Sequence, residues 1–138
     1  MIYITRKEHF NAAHKLFNPT WSEEKNNATF GKCANKNWHG HNYELFVTVK
    51  GKINPDTGFV VNLKELSTLI RKDVCDVLDH KNLNLDVPNM PIMPSTENVA
   101  IFIWNILATK ISDMGATLHC IKLYETESNY VEYFGEQD

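Results

Sequence analysis

Residues 2–14, IYITRKEHFNAAH, read as a strand whose C-terminal half alternates, so that Phe10, Ala12 and His14 share one face. Residues 41–50, HNYELFVTVK, alternate more cleanly: Tyr43, Leu45, Val47 and Val49 fall on one side, Asn42, Glu44 and Thr48 on the other, with Phe46 out of phase on the polar side. The polar stretch between them, residues 18–29, predicts a loop with at most a helical turn. NPDTG at 54–58 is turn chemistry, followed by a short extended piece at Phe59–Val61. Over residues 62–78 the period changes to 3.6: Leu63, Leu66, Ile70, Val74 and Val77 predict a half-buried helix with Asn62 as N-cap. Residues 81–94, with three prolines, read as loop. Ser95 or Thr96 caps a second helix whose apolar face is Val99, Phe102, Ile103, Ile106 and Ile111. Residues 117–125 and 129–134 predict a closing hairpin. The order is ββααββ, an α+β fold in which two helices cover one face of an antiparallel sheet. The other face and the edges of so small a sheet predict a homo-oligomer.

Length and charge narrow the class. The 138 residues suggest a single domain, 1–138, with ordinary globular composition at 43% hydrophobic and 22% charged. A net charge of −3 without a basic stripe argues against a nucleic-acid partner, though a few local cations can still hold a small anion. Three cysteines, Cys33, Cys75 and Cys120, form no disulfide framework and fit a reducing compartment. The N-terminus lacks a signal-peptide core, and no apolar run reaches the ~18 residues of a membrane span, so a cytoplasmic chain with no membrane partner is expected.

CANKNWHGHNY, residues 33–43, carries the chemistry. His39 and His41 are two apart and share a face if the second strand reaches back to His39. Antiparallel pairing of the first two strands brings His14 alongside them. Three neutral imidazoles on a rigid sheet make a zinc site with a fourth position open to substrate. Two alternatives stand beside that reading: histidines without a joint role, or a closed structural site with Cys33 as fourth ligand. His9 and His119 have no ligand-spaced companion and read as structural. Cys75 and Cys120 read as small buried side chains.

FNAAH, FGKCANKNWHGHNY, VVNL, LDHKNLN, STENVA and YETE occur in this order along residues 4–135. Together they resemble the 6-pyruvoyl-tetrahydropterin synthase family and its wider group, which includes the 6-carboxytetrahydropterin synthases of queuosine biosynthesis. The resemblance implies zinc held by His14, His39 and His41, a catalytic thiol at Cys33, and Asp79 with His80 as its acid/base partners. It implies that Glu125 anchors a pterin ring by accepting two adjacent N–H groups, with Thr96 and Glu97 lining the same pocket. It implies the tunnelling fold (T-fold), in which trimers close a shared oligomeric barrel and two trimers stack into a homohexamer. The substrate it implies is 7,8-dihydroneopterin triphosphate. The five residues between Cys33 and His39, with NPDTGFVVNL and LDHKNLNLDVP, resemble the pyruvoyl branch. The carboxy branch and a non-catalytic zinc- or pterin-binding module are the alternatives.

Overall fold

Strand β1 (Ile2–His14) and strand β2 (His39–Gly51) are both 13 residues long and pair antiparallel along their whole length, from Ile2 opposite Gly51 to His14 opposite His39. This computed structural model describes residues 1–136. The predicted alternation holds: Phe10, Tyr43, Leu45, Val47 and Val49 are fully buried on one face. Phe46 breaks the pattern because the opposite face has packing of its own. There its ring lies under the Lys7 and Lys122 ammonium groups and 5.7 Å from the Tyr124 ring.

The two expected helices share one core with the Phe10 face. Ahead of them, α1 (Glu23–Phe30) replaces the loop expected over 18–29; Ser22 caps it by accepting from the Lys25 amide. Its side chains are polar nearly all round and only Asn26 is buried, which is why periodicity missed it. The predicted 62–78 helix runs as α2 (Leu63–Ile70), a π-helical turn over Arg71–Cys75, and α3 (Asp76–Leu78). Asn62 caps it as expected, accepting from the Lys64 and Glu65 amides. The π turn adds a residue to the repeat. Burial therefore follows Leu66, Ile70, Val74 and Leu78, all fully buried, and Val77 rotates outward to 37% exposure. Within the expected 81–94 loop, strand β3 (Lys81–Asn82) pairs parallel to Ala12 and Ala13 of β1. Helix α4 (Thr96–Asp113) is capped by Ser95. The closing hairpin is β4 (Thr117–Tyr124) and β5 (Tyr130–Tyr133).

The sheet order is β3-β1-β2-β4-β5, antiparallel except at β3. Helix α4 packs on β4 and β5, and α2 on β1. Between Thr48 and Val49 the β2–β4 register slips past His119. This bulge lets Leu118 face the helices together with Ile121 and Leu123. His119 stacks edge-on against Tyr3 at 4.7 Å and contacts Phe134, the structural place expected for it.

One charged group lies under α2. Glu8 Oε1 accepts hydrogen bonds from Arg6 Nε, Arg71 Nε and Ser67 Oγ, each at 3.0 Å, and Glu8 is 8% exposed. Burial alone raises the Glu8 pKa, but the three donors outweigh it and hold the carboxyl below its ordinary value. A depressed folded pKa stabilises the protein above the unfolded carboxyl pKa, and that contribution fades as pH falls through the folded value. Glu8→Ala is expected to cost about 1–3 kcal/mol at pH 7 by leaving its donors unpaired, and less at pH 3. Urea unfolding midpoints at the two pH values check this; an equal loss at both would reject it.

Candidate metal centre and active site

At one end of the sheet the β1–β2 register sets His14 opposite His39 and Ala12 opposite His41. The three imidazoles converge on the helix side, with ring centroids 4.4 Å (His14–His39), 4.8 Å (His39–His41) and 5.0 Å (His14–His41) apart. Beneath them Tyr43, stacked 4.9 Å from Phe10, closes the floor. The start of α4 closes the side. The Ser95 cap holds the helix entrance in place, and the Pro94 carbonyl before it lies 2.8 Å from His14 Nδ1. That contact selects the tautomer with the proton on Nδ1 and turns the Nε2 lone pair inward.

The inward nitrogens lack protein partners. His14 Nε2, both ring nitrogens of His39 and His41 Nε2 are buried without a hydrogen bond. His41 Nε2 does approach Glu125 Oε1 at 2.9 Å, but without hydrogen-bond geometry. Burial is the main cause that lowers the pKa of all three histidines, so they stand neutral with lone pairs available at neutral pH. Buried, neutral, unpartnered imidazole nitrogens are costly in a protein interior unless something binds them. Their convergence fits a zinc ion.

Glu125 joins this group. One ligand atom from each of His14, His39, His41 and Glu125 lies within 4.8 Å of the others. Cys33 is outside that set, which removes the basis for a closed site with the thiol as fourth ligand. Sequence reasoning assigned Glu125 only to a pterin ring and missed its place beside the imidazoles; the contact joins β4 to β1 and β2, and no local spacing signals it. Its carboxylate is divided, Oε1 toward His41 and Oε2 accepting a hydrogen bond from Thr96 Oγ1. Thr96 and Glu97 line a small cavity of about 100 Å³ with Glu125, so the structure brings these three expected residues together.

The other expected residues lie apart. Cys33 sits half-buried in a 3₁₀ turn, Gly31–Ala34, its carbonyl accepting from the Leu16 amide at 2.7 Å. Asp79 and His80 follow α3. Asp79 Oδ1 accepts from the Asn11 amide at 2.8 Å and Oδ2 lies 2.9 Å from His80 Nδ1. The hydrogen bond donated by the Asn11 amide, then the His80 contact, hold the Asp79 carboxyl below its ordinary pKa. His80 has a left-handed backbone (φ 58) and its side chain is 78% exposed. A shallow groove of about 630 Å³ connects His80 to His41, and one of about 500 Å³ connects His41 to Glu125 and His9. Cys33 borders neither. Cys75 and Cys120 are buried as expected, and burial pushes the Cys75 thiol up to about 11.

The sequence profile described as 6-pyruvoyl tetrahydropterin synthase matches residues 3–136. The chain belongs to that family. A 6-pyruvoyl tetrahydrobiopterin synthase of Pongo abelii is 46% identical over 134 residues, covering 96% of this chain and 91% of that protein. The structure of Caenorhabditis elegans 6-pyruvoyl tetrahydropterin synthase superposes with a TM-score of 0.90 at 35% identity, covering 98% of this chain and 96% of that one. A 6-carboxy-5,6,7,8-tetrahydropterin synthase of Haemophilus influenzae is more distant, 26% identical over 154 aligned positions that cover 96% of this chain and 99% of that protein. The chain is an enzyme of this family, and its α+β tunnelling fold is shared with the family's structures. No helix among the described residues is long and apolar enough to cross a membrane.

Proposed function

We propose that this chain is a zinc-dependent lyase that converts 7,8-dihydroneopterin triphosphate to 6-pyruvoyl-tetrahydropterin with loss of triphosphate. The observation that carries the proposal is the set of unpartnered imidazole nitrogens of His14, His39 and His41, in a chain far nearer the pyruvoyl relatives than the carboxy ones.

In this reading the three histidines hold zinc, which when bound polarises the substrate's side-chain oxygens. Glu125 accepts the pterin ring N–H and exocyclic amino group, with Thr96 and Glu97 beside it. Cys33 takes the proton released from the side-chain carbon. Asp79 holds the His80 ring through Nδ1, leaving Nε2 to exchange protons. The reaction redistributes oxidation state within the substrate and asks for no redox cofactor.

The reading extends to a single catalytic domain over residues 1–138 in the cytoplasm, assembled as a homohexamer of two trimers. Exposed His80, apart from Cys33, supports a site completed by a neighbouring subunit. Incubation of the purified protein with dihydroneopterin triphosphate and magnesium, followed by mass analysis, tests the activity. A retained three-carbon side chain with free triphosphate is expected. Acetaldehyde and a carboxypterin would assign the carboxy branch, and tight pterin binding without conversion would leave a binding module.

A further inference from the structure

The excursion between β1 and β2 leaves the metal site from two of its ligands: Lys15 follows His14, and Trp38 precedes His39. It carries four lysines (15, 25, 32 and 36) against two glutamates (23 and 24), a local charge of +2 in a chain of −3. Among the described residues none of these lysines pairs with a carboxylate. Lys15 and Lys36 border a cavity of about 480 Å³ that also holds the side of the Cys33 turn, at Ala34 and Asn35. Glu23 is its one carboxylate.

Lys15 is held there by its surroundings. Asn84 clamps its backbone on both sides, accepting from the Lys15 amide and donating to its carbonyl, each at 3.0 Å. Its ammonium lies 4.5 Å from the Phe17 ring centre and 5.4 Å from that of Trp38. Trp38 presents its ring from a left-handed backbone, φ 66, an uncommon conformation for a bulky residue that surrounding structure must enforce. Cation–π contacts fix an ammonium without neutralising it, and they are weaker than charge-assisted hydrogen bonds to phosphate. A pre-placed cation without an acidic partner is thus available to an anion.

We infer that the cavity bordered by Lys15 and Lys36 binds the triphosphate of the substrate, a role that rests on the lyase reading above. Lys15 follows His14 directly in the chain, so the cavity begins one residue from a member of the imidazole cluster. The two grooves beside the imidazoles offer a single lysine, Lys81, which shares its groove with Asp86.

Calorimetric titration of the full chain with inorganic triphosphate tests this directly. Lys15→Gln and Lys36→Gln are each expected to weaken binding about fivefold, and the double variant roughly 25-fold. Lys15→Arg should retain most of the affinity. Neopterin, which lacks phosphate, should bind all variants alike, and melting temperatures should match the wild type. With dihydroneopterin triphosphate the loss should appear in kcat/KM. Unchanged triphosphate affinity in the double variant, or no binding to the wild type at low salt, overturns the inference. Wild type that turns over substrate while the lysine variants match it rejects the cavity and keeps the lyase. Wild type that binds triphosphate through these lysines without converting substrate does the reverse.

Discussion

Cys33→Ala is expected to lower turnover of dihydroneopterin triphosphate by roughly 10²–10⁴, the usual contribution of a positioned proton acceptor, while zinc content stays at the wild-type level. The second half of that expectation comes from geometry. The ligand atoms of His14, His39, His41 and Glu125 gather without the thiol. The substitution should also be mild for folding. Cys33 is only half-buried in a short turn, and the turn's contact with Leu16 runs through the Cys33 carbonyl, which alanine keeps. A stability change within about 0.5 kcal/mol is expected. Steady-state kinetics, elemental analysis for zinc and a urea titration on one preparation separate the outcomes. Full turnover removes the thiol from the mechanism. Loss of zinc together with turnover makes Cys33 a ligand and revives the closed site.

The clustering of the three histidines was legible because a strand's period is 2 and pairing was the one additional assumption needed. Alternation in YELFVTV extends back through His41 to His39, and antiparallel pairing then delivers His14. What stayed illegible was non-local or off-period. Val77 fits a 3.6 repeat with Leu63, Leu66, Ile70 and Val74, but a π turn rotates it out and sends Leu78 in. Helix α1 has no apolar stripe to announce it and relies on its Ser22 cap and the Asn26–Asn18 contacts beneath it. Strand β3 is two residues whose pairing depends on β1, not on their own character. Glu125 looks like a solvated strand-end charge until β4 is laid beside β2, when it meets His41 and Thr96.

The division of Glu125 between His41 and Thr96 yields the last expectation, in which His14→Ala and Glu125→Ala part company. His14 is fully buried, faces the cluster with Nε2 and is oriented by Pro94. Its removal should abolish zinc retention through dialysis, a loss beyond the roughly 10–100-fold that follows from deleting a supporting hydrogen bond. It should also destabilise the apo-protein by about 2–4 kcal/mol, since a cavity opens between α4 and Tyr43 and the Pro94 carbonyl loses its partner. Glu125→Ala should keep zinc, because three imidazoles suffice for a catalytic site whose fourth position belongs to substrate. It should instead weaken neopterin binding by roughly tenfold or more, the worth of one bidentate charge-assisted pair. Zinc content and neopterin titration on the two variants decide the matter. If Glu125→Ala loses zinc as His14→Ala does, the carboxylate is a structural fourth ligand, the metal has no open position, and the lyase mechanism proposed for this site fails.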